Sequence, residues 1–140
     1  MTENFKIISS FIKDMSSETP NTPTYIFVRD NISKYRLNID INSAAVKDGI
    51  IEVNIIMKFS GQPEVLKKAH FEITYTSIVT INEKVSDKKE MEKIILCDVP
   101  NKIYPDLERI FLNLLTDSGY PGIKFEKKVD FTELYKQRAN

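Results

Sequence analysis

Hydrophobic positions along the chain change their spacing once. Up to about Ile81 they alternate with polar residues at the two-residue period of strands. After about Ser86 they recur at helical spacing. Tyr35 to Ile41 is the clearest strand: Tyr35, Leu37, Ile39 and Ile41 face one way, and Arg36, Asn38 and Asp40 the other. Phe5 to Phe11 predicts an earlier strand, and the parity change near Ser9-Ser10 predicts a bulge in it, because one inserted residue flips the alternation. Ser16 to Pro23 holds two prolines and small polar residues, so it reads as extended or turning rather than helical. Asp48-Gly49 signals a turn before a strand over Ile50 to Phe59. Ala69 to Ile81 reads as a long strand, with a bend or bulge predicted near Thr76-Ser77, where the apolar residues change parity.

The helical half begins with Asp87 to Leu96, which Cys97-Asp98-Val99-Pro100 is expected to interrupt. Pro105 then suits the first turn of the main helix, where a missing N–H leaves nothing unsatisfied. Leu107, Ile110, Phe111, Leu114 and Leu115 form one apolar stripe, and Gly119 closes the helix as its C′ residue. Asp130-Phe131-Thr132-Glu133 reads as a capping box opening a last helix that carries Leu134 and Tyr135. Strands grouped before helices predict an α+β fold with an antiparallel sheet covered on one face.

A length of 140 residues makes room for a single domain, 1–140, that needs no metal or disulfide staple. Twenty basic residues balance twenty acidic ones, which argues against nucleic acid as the main partner. The basic stretches Lys84 to Lys93 and Lys124 to Lys128 are interleaved with acids, as a solvated face is. The densest apolar run, Ile50 to Met57, is broken by Glu52 and Asn54, so no membrane insertion is expected. Met1 to Phe5 lacks the layout of a signal peptide, and the single cysteine, Cys97, fits a reducing, cytoplasmic setting.

Composition also thins the possible chemistry. His70 is the only histidine, which excludes a multi-histidine metal site, and one cysteine excludes a Cys-rich zinc site. The scattered glycines spell neither a P-loop nor a GxGxxG fingerprint. An enzyme built on His70 and Glu72 would need an enclosed polar pocket around the imidazole; otherwise His70 is a strand-surface residue. Cys97 sits beside Asp98, whose charge would raise a thiol pKa, so it reads as a small buried side chain rather than a nucleophile.

Three segments, in order, resemble the SecB family of protein-export chaperones. Ile12-Lys13-Asp14-Met15-Ser16-Ser17-Glu18-Thr19-Pro20-Asn21-Thr22-Pro23 is similar to the family's KD-(I/L)-S-x-E-x-P-x-x-P segment. Ile103-Tyr104-Pro105-Asp106-Leu107-Glu108-Arg109-Ile110 is similar to (L/I)-F-P-(Y/F)-A-R, and Val129-Asp130-Phe131-Thr132-Glu133-Leu134-Tyr135 to (V/I)-(N/D)-F-x-x-(L/I)-(F/Y). The resemblance implies a four-stranded antiparallel sheet, a long crossover between the first two strands, and C-terminal helices. It also implies a homotetramer, a dimer of dimers, that holds unfolded precursor proteins without ATP or cofactor and delivers them to the SecA motor. The chain departs from the family in lacking a glycine pair at Tyr75-Thr76-Ser77-Ile78-Val79, in carrying Leu107-Glu108 before Arg109, and in its neutral charge.

On that resemblance, Asp14, Glu18 and Glu72 match positions that contact the zinc-binding tail of SecA. Client contacts are expected from aromatics of the crossover, the sheet and the main helix: Tyr25, Phe27, Tyr35, Tyr75 and Tyr104. In the crossover, Tyr25-Ile26-Phe27-Val28 is an apolar cluster within what otherwise reads as loop. An alternative within the same family is a chaperone dedicated to one aggregation-prone client such as an antitoxin.

Overall fold

The computed structural model describes residues 4–125 and 129–139. The first three residues, and with them part of the signal-peptide argument, lie outside the described residues, as does 126–128 of the basic stretch. The elements are β1 (Phe5–Glu18), α1 (Thr22–Asn31), a 3-10 turn (Ile32–Lys34), β2 (Arg36–Lys47), β3 (Ile50–Ser60) and β4 (His70–Ile81). Helices α2 (Lys88–Lys93), α3 (Val99–Asp117) and α4 (Phe131–Ala139) follow, with a π turn over Ile94–Asp98 joining α2 to α3.

The strands form one antiparallel sheet in the order β1-β4-β3-β2. The expected α+β fold and its crossover are therefore present, and the crossover carries the chain from one edge of the sheet to the other. It is not a loop, however: Tyr25-Ile26-Phe27-Val28 lies within α1. The Asn21 side chain accepts a hydrogen bond from the Thr24 N–H at 2.9 Å, and Pro23 occupies the first turn. The prolines that read as helix-breaking thus stand where a helix begins.

Both outer strands run longer than their alternation suggested. In β1 the pairing with β4 shifts between Ile7 and Ser9 and again between Ile12 and Asp14, so Ile8 and Lys13 are the extra residues of two bulges. The first lies where the parity change placed one. By contrast β4 pairs with β3 without a shift from His70 to Thr80, so β4 carries no bulge near Thr76-Ser77. Ile78 instead faces the side of the sheet opposite Val79. Val46 is the extra residue of a shift in β2, next to a turn in which Gly49 takes a φ of 74°.

Buried apolar residues of the strands share one face: Ile41, Val53, Ile55, Met57, Phe59, Phe71, Ile73, Tyr75 and Val79. Against them lies the α3 stripe, where Leu107, Phe111 and Leu115 are completely buried, each burial stabilising the fold by about 1.5–3 kcal/mol. The helical run is not interrupted at Cys97 to Pro100. The π turn absorbs an additional residue, and Pro100 falls in the first turn of α3. Pro105 is therefore inside the helix rather than at its start, where it removes the bond that Asn101 C=O would otherwise accept.

Candidate functional site

Two regions carry the residues of interest: the sheet face turned away from α3, and a groove at the β2 edge. Cross-strand partners share a face, so register places the first set. Asp14 lies opposite Thr74, Ser16 opposite Glu72, and Glu18 opposite His70. Asp14, Glu18 and Glu72 are thereby brought to one surface, with Glu72 a diagonal neighbour of the other two at roughly 7–8 Å. Lys58, paired with Glu72 across β3 and β4, holds its carboxylate at 3.3 Å.

Beside this trio the same face carries a polar cluster. Thr76 Oγ1 donates to Asn54 Oδ1 at 2.6 Å, while Asn54 Nδ2 donates to Asn42 Oδ1 at 2.8 Å and to Glu52 Oε2 at 3.0 Å. Lys13, displaced by its bulge, forms an ion pair with Glu52 at 2.9 Å. The hydrogen bond from Asn54, with the contact to Lys13, holds the Glu52 carboxyl below the usual carboxylate pKa. His70 is half-exposed on this surface, a strand position opposite Glu18 and Ser60, and lines neither cavity described below.

The groove lies between the free edge of β2 and helix α4. Two adjoining cavities of about 370 and 470 Å³ share Ile39 and Leu134 as common walls. Leu37, Ile41, Leu96, Val129 and Tyr135 complete the apolar lining, with Asp40, Asp130 and Glu133 at its polar margins. α4 is set in place by Asp130, whose Oδ1 accepts from the Glu133 N–H at 3.1 Å, and by the fully buried Phe131. Cys97 is buried beneath it, 3.3 Å from Thr132 Oγ1 and 3.5 Å from Asn101 Nδ2, in accord with a structural thiol.

The five aromatics singled out from the sequence divide. Tyr25, Tyr35 and Tyr120 belong to one chain of rings: Tyr25 to Tyr120 at 5.2 Å, Tyr120 to Phe71 at 5.4 Å, and Phe71 to Tyr35 at 6.5 Å. Tyr25 donates to Gly119 C=O at 2.7 Å. Tyr35 donates to Ala69 C=O at 3.0 Å and accepts from its N–H at 2.9 Å, and burial raises its phenol pKa. Phe27 is 37% exposed. Tyr75 and Tyr104, each 8% exposed, lie in the core instead. The Tyr104 hydroxyl is buried without a well-formed hydrogen bond among the described residues, and burial, with the Glu108 carboxylate close enough for a poor contact, pushes its pKa well above the ordinary phenol value.

Sequence reasoning missed the groove's Leu37, Ile39, Leu96, Val129 and Leu134. The alternation of β2 and the capping box were both visible. That β2 is an edge strand was not, because alternation does not encode strand order.

A family model described as "Preprotein translocase subunit SecB" matches residues 1–140. The putative protein-export protein SecB of Pelagibacter ubique (strain HTCC1062) is 88% identical over the full length of both chains. The protein-export protein SecB of Methylocella silvestris is 26% identical, over 93% of this chain and 79% of its own. Among solved structures, a SecB-like chaperone of Mycobacterium tuberculosis in complex with a peptide from an antitoxin matches with a TM-score of 0.67. It is 11% identical, and the match covers 90% of this chain and 91% of that one, a likeness of fold.

Proposed function

The chain belongs to the SecB family, and from that premise we propose how its surfaces divide the work of a protein-export chaperone. It is a non-catalytic, ATP-independent chaperone of the cytoplasm that binds unfolded preproteins and passes them to SecA. The client lies in the groove between β2 and α4. The observation that carries this reading is the pairing of an apolar trough with an open strand edge. Unfolded chains offer apolar side chains and unpaired backbone, and the groove answers both. Phe27 extends the contact surface on the crossover helix. Tyr25 and Tyr35 add half-buried rings beside it, while Tyr75 and Tyr104 support the client surface from within the core. Asp14, Glu18 and Glu72, together on the outer sheet face, receive the SecA tail through charge-assisted contacts.

The working unit is one chaperone domain, 1–140, in a homotetramer, a dimer of dimers. Support comes from β1, a 14-residue edge strand with Ile8, Phe11, Ile12 and Met15 all more than 40% exposed. An apolar open edge of that length invites pairing with a second strand.

Leu134→Glu and Phe27→Ala test the client surface, since both side chains are exposed and neither change opens the core. Each is expected to weaken capture of a denatured preprotein severalfold with its melting temperature kept. Unchanged capture by both variants would remove the groove and the crossover helix from client binding. A chaperone reserved for one antitoxin-like client would instead capture that client and ignore preproteins.

A further inference from the structure

We infer that Lys58 is a built-in competitor for the SecA-docking face, occupying the Glu72 carboxylate that an incoming basic segment must take over. This rests on the docking reading of Asp14, Glu18 and Glu72 given above. Lys58 is the direct cross-strand partner of Glu72, and its Nζ lies 3.3 Å from Glu72 Oε1. Among the described residues Asp14 and Glu18 take part in no ion pair, so of the three carboxylates only Glu72 is neutralised by its own chain. The pair lies on a pleated surface, where the partners are held opposite each other by strand register rather than by chance side-chain excursions.

Both side chains keep access to water: the Lys58 side chain is 53% exposed and that of Glu72 25%. A pair so placed is weak, and a ligand cation can displace it. Binding a cationic segment therefore exchanges one ion pair for another at Glu72, while Asp14 and Glu18 contribute new ones. The consequence is a docking face with reduced affinity and a shallow salt dependence, set by a residue that touches neither client nor groove.

Lys58→Met, Glu72→Gln and the double variant are compared in binding the zinc-loaded C-terminal tail of SecA as a peptide, at several salt concentrations. Lys58→Met should bind about two- to fivefold more tightly, as release of an exposed ion pair allows, with a steeper salt dependence and an unchanged melting temperature. Glu72→Gln should bind more weakly, and adding Lys58→Met to it should give no further gain. A gain that persists in the Glu72→Gln background would be a general charge effect and overturn the inference. So would an affinity left unchanged by Lys58→Met while Glu72→Gln still weakens binding. If Glu72→Gln binds as tightly as the unsubstituted protein, the docking reading itself fails and the inference falls with it.

Discussion

Tyr104 carries a buried hydroxyl with no well-formed hydrogen bond among the described residues, only a poor contact to Glu108, and its ring packs edge-on against Phe131 at 5.5 Å. An unsatisfied buried hydroxyl is destabilising by about 1–3 kcal/mol, and a phenylalanine of nearly the same shape would not carry that burden. Tyr104→Phe is therefore expected to raise unfolding free energy by about 1 kcal/mol in a denaturant titration. A loss of stability would mean that the hydroxyl is satisfied in the working assembly. At this scale the sequence was partly legible. Tyr75 shares its strand face with Phe71 and Ile73, so its burial followed from parity already visible. Tyr104 stands three residues before Leu107 and joins its stripe only if the helix begins upstream of Pro105. Placing the helix start at that proline hid the position.

Among the elements, termini were read more accurately from glycine and aspartate than from proline. Gly119 ends α3 with a φ of 101°, its N–H donating to Thr116 C=O at 3.1 Å, while the Tyr120 N–H reaches Leu115 C=O at 2.9 Å. These are the two bonds of a Schellman motif. A Cβ at this position would stand 2.7 Å from Tyr25 Cε1, so the glycine also lets the crossover helix seat against the end of α3. Gly119→Ala should destabilise the protein by about 1–3 kcal/mol, combining left-handed strain with that clash. A melting temperature within a degree of the unsubstituted protein would contradict the packing described. Proline misled twice for one physical reason: its effect depends on whether its N–H would have been bonded. Pro23 begins a helix because Asn21 caps it, and Pro105 sits inside one because the π turn has already carried the helix past Pro100.

For the whole molecule, alternation marked the strands and their covered face but not their order. The β1-β4-β3-β2 arrangement leaves β1 and β2 as the two edges, and the proposed function gives each a different employment. β2 borders the groove proposed for the client. β1 presents Ile12 and Met15, 42% and 45% exposed, and is the edge proposed to meet a second copy of the chain. Ile12→Lys with Met15→Lys should lower the assembled mass in analytical ultracentrifugation while the fold survives, since neither residue is in the core. A tetramer that persists unchanged would move the contact to another surface. Long charged side chains on an edge strand oppose pairing, which is why they are the substitutions chosen.

One experiment tests the chaperone function most directly: dilution of a denatured, slow-folding preprotein with and without the purified protein, followed by light scattering in the absence of ATP. Stoichiometric suppression of aggregation, with the captured preprotein released when SecA is added, is the predicted result. Aggregation that proceeds unaltered for several preproteins, at amounts exceeding the client, would contradict it.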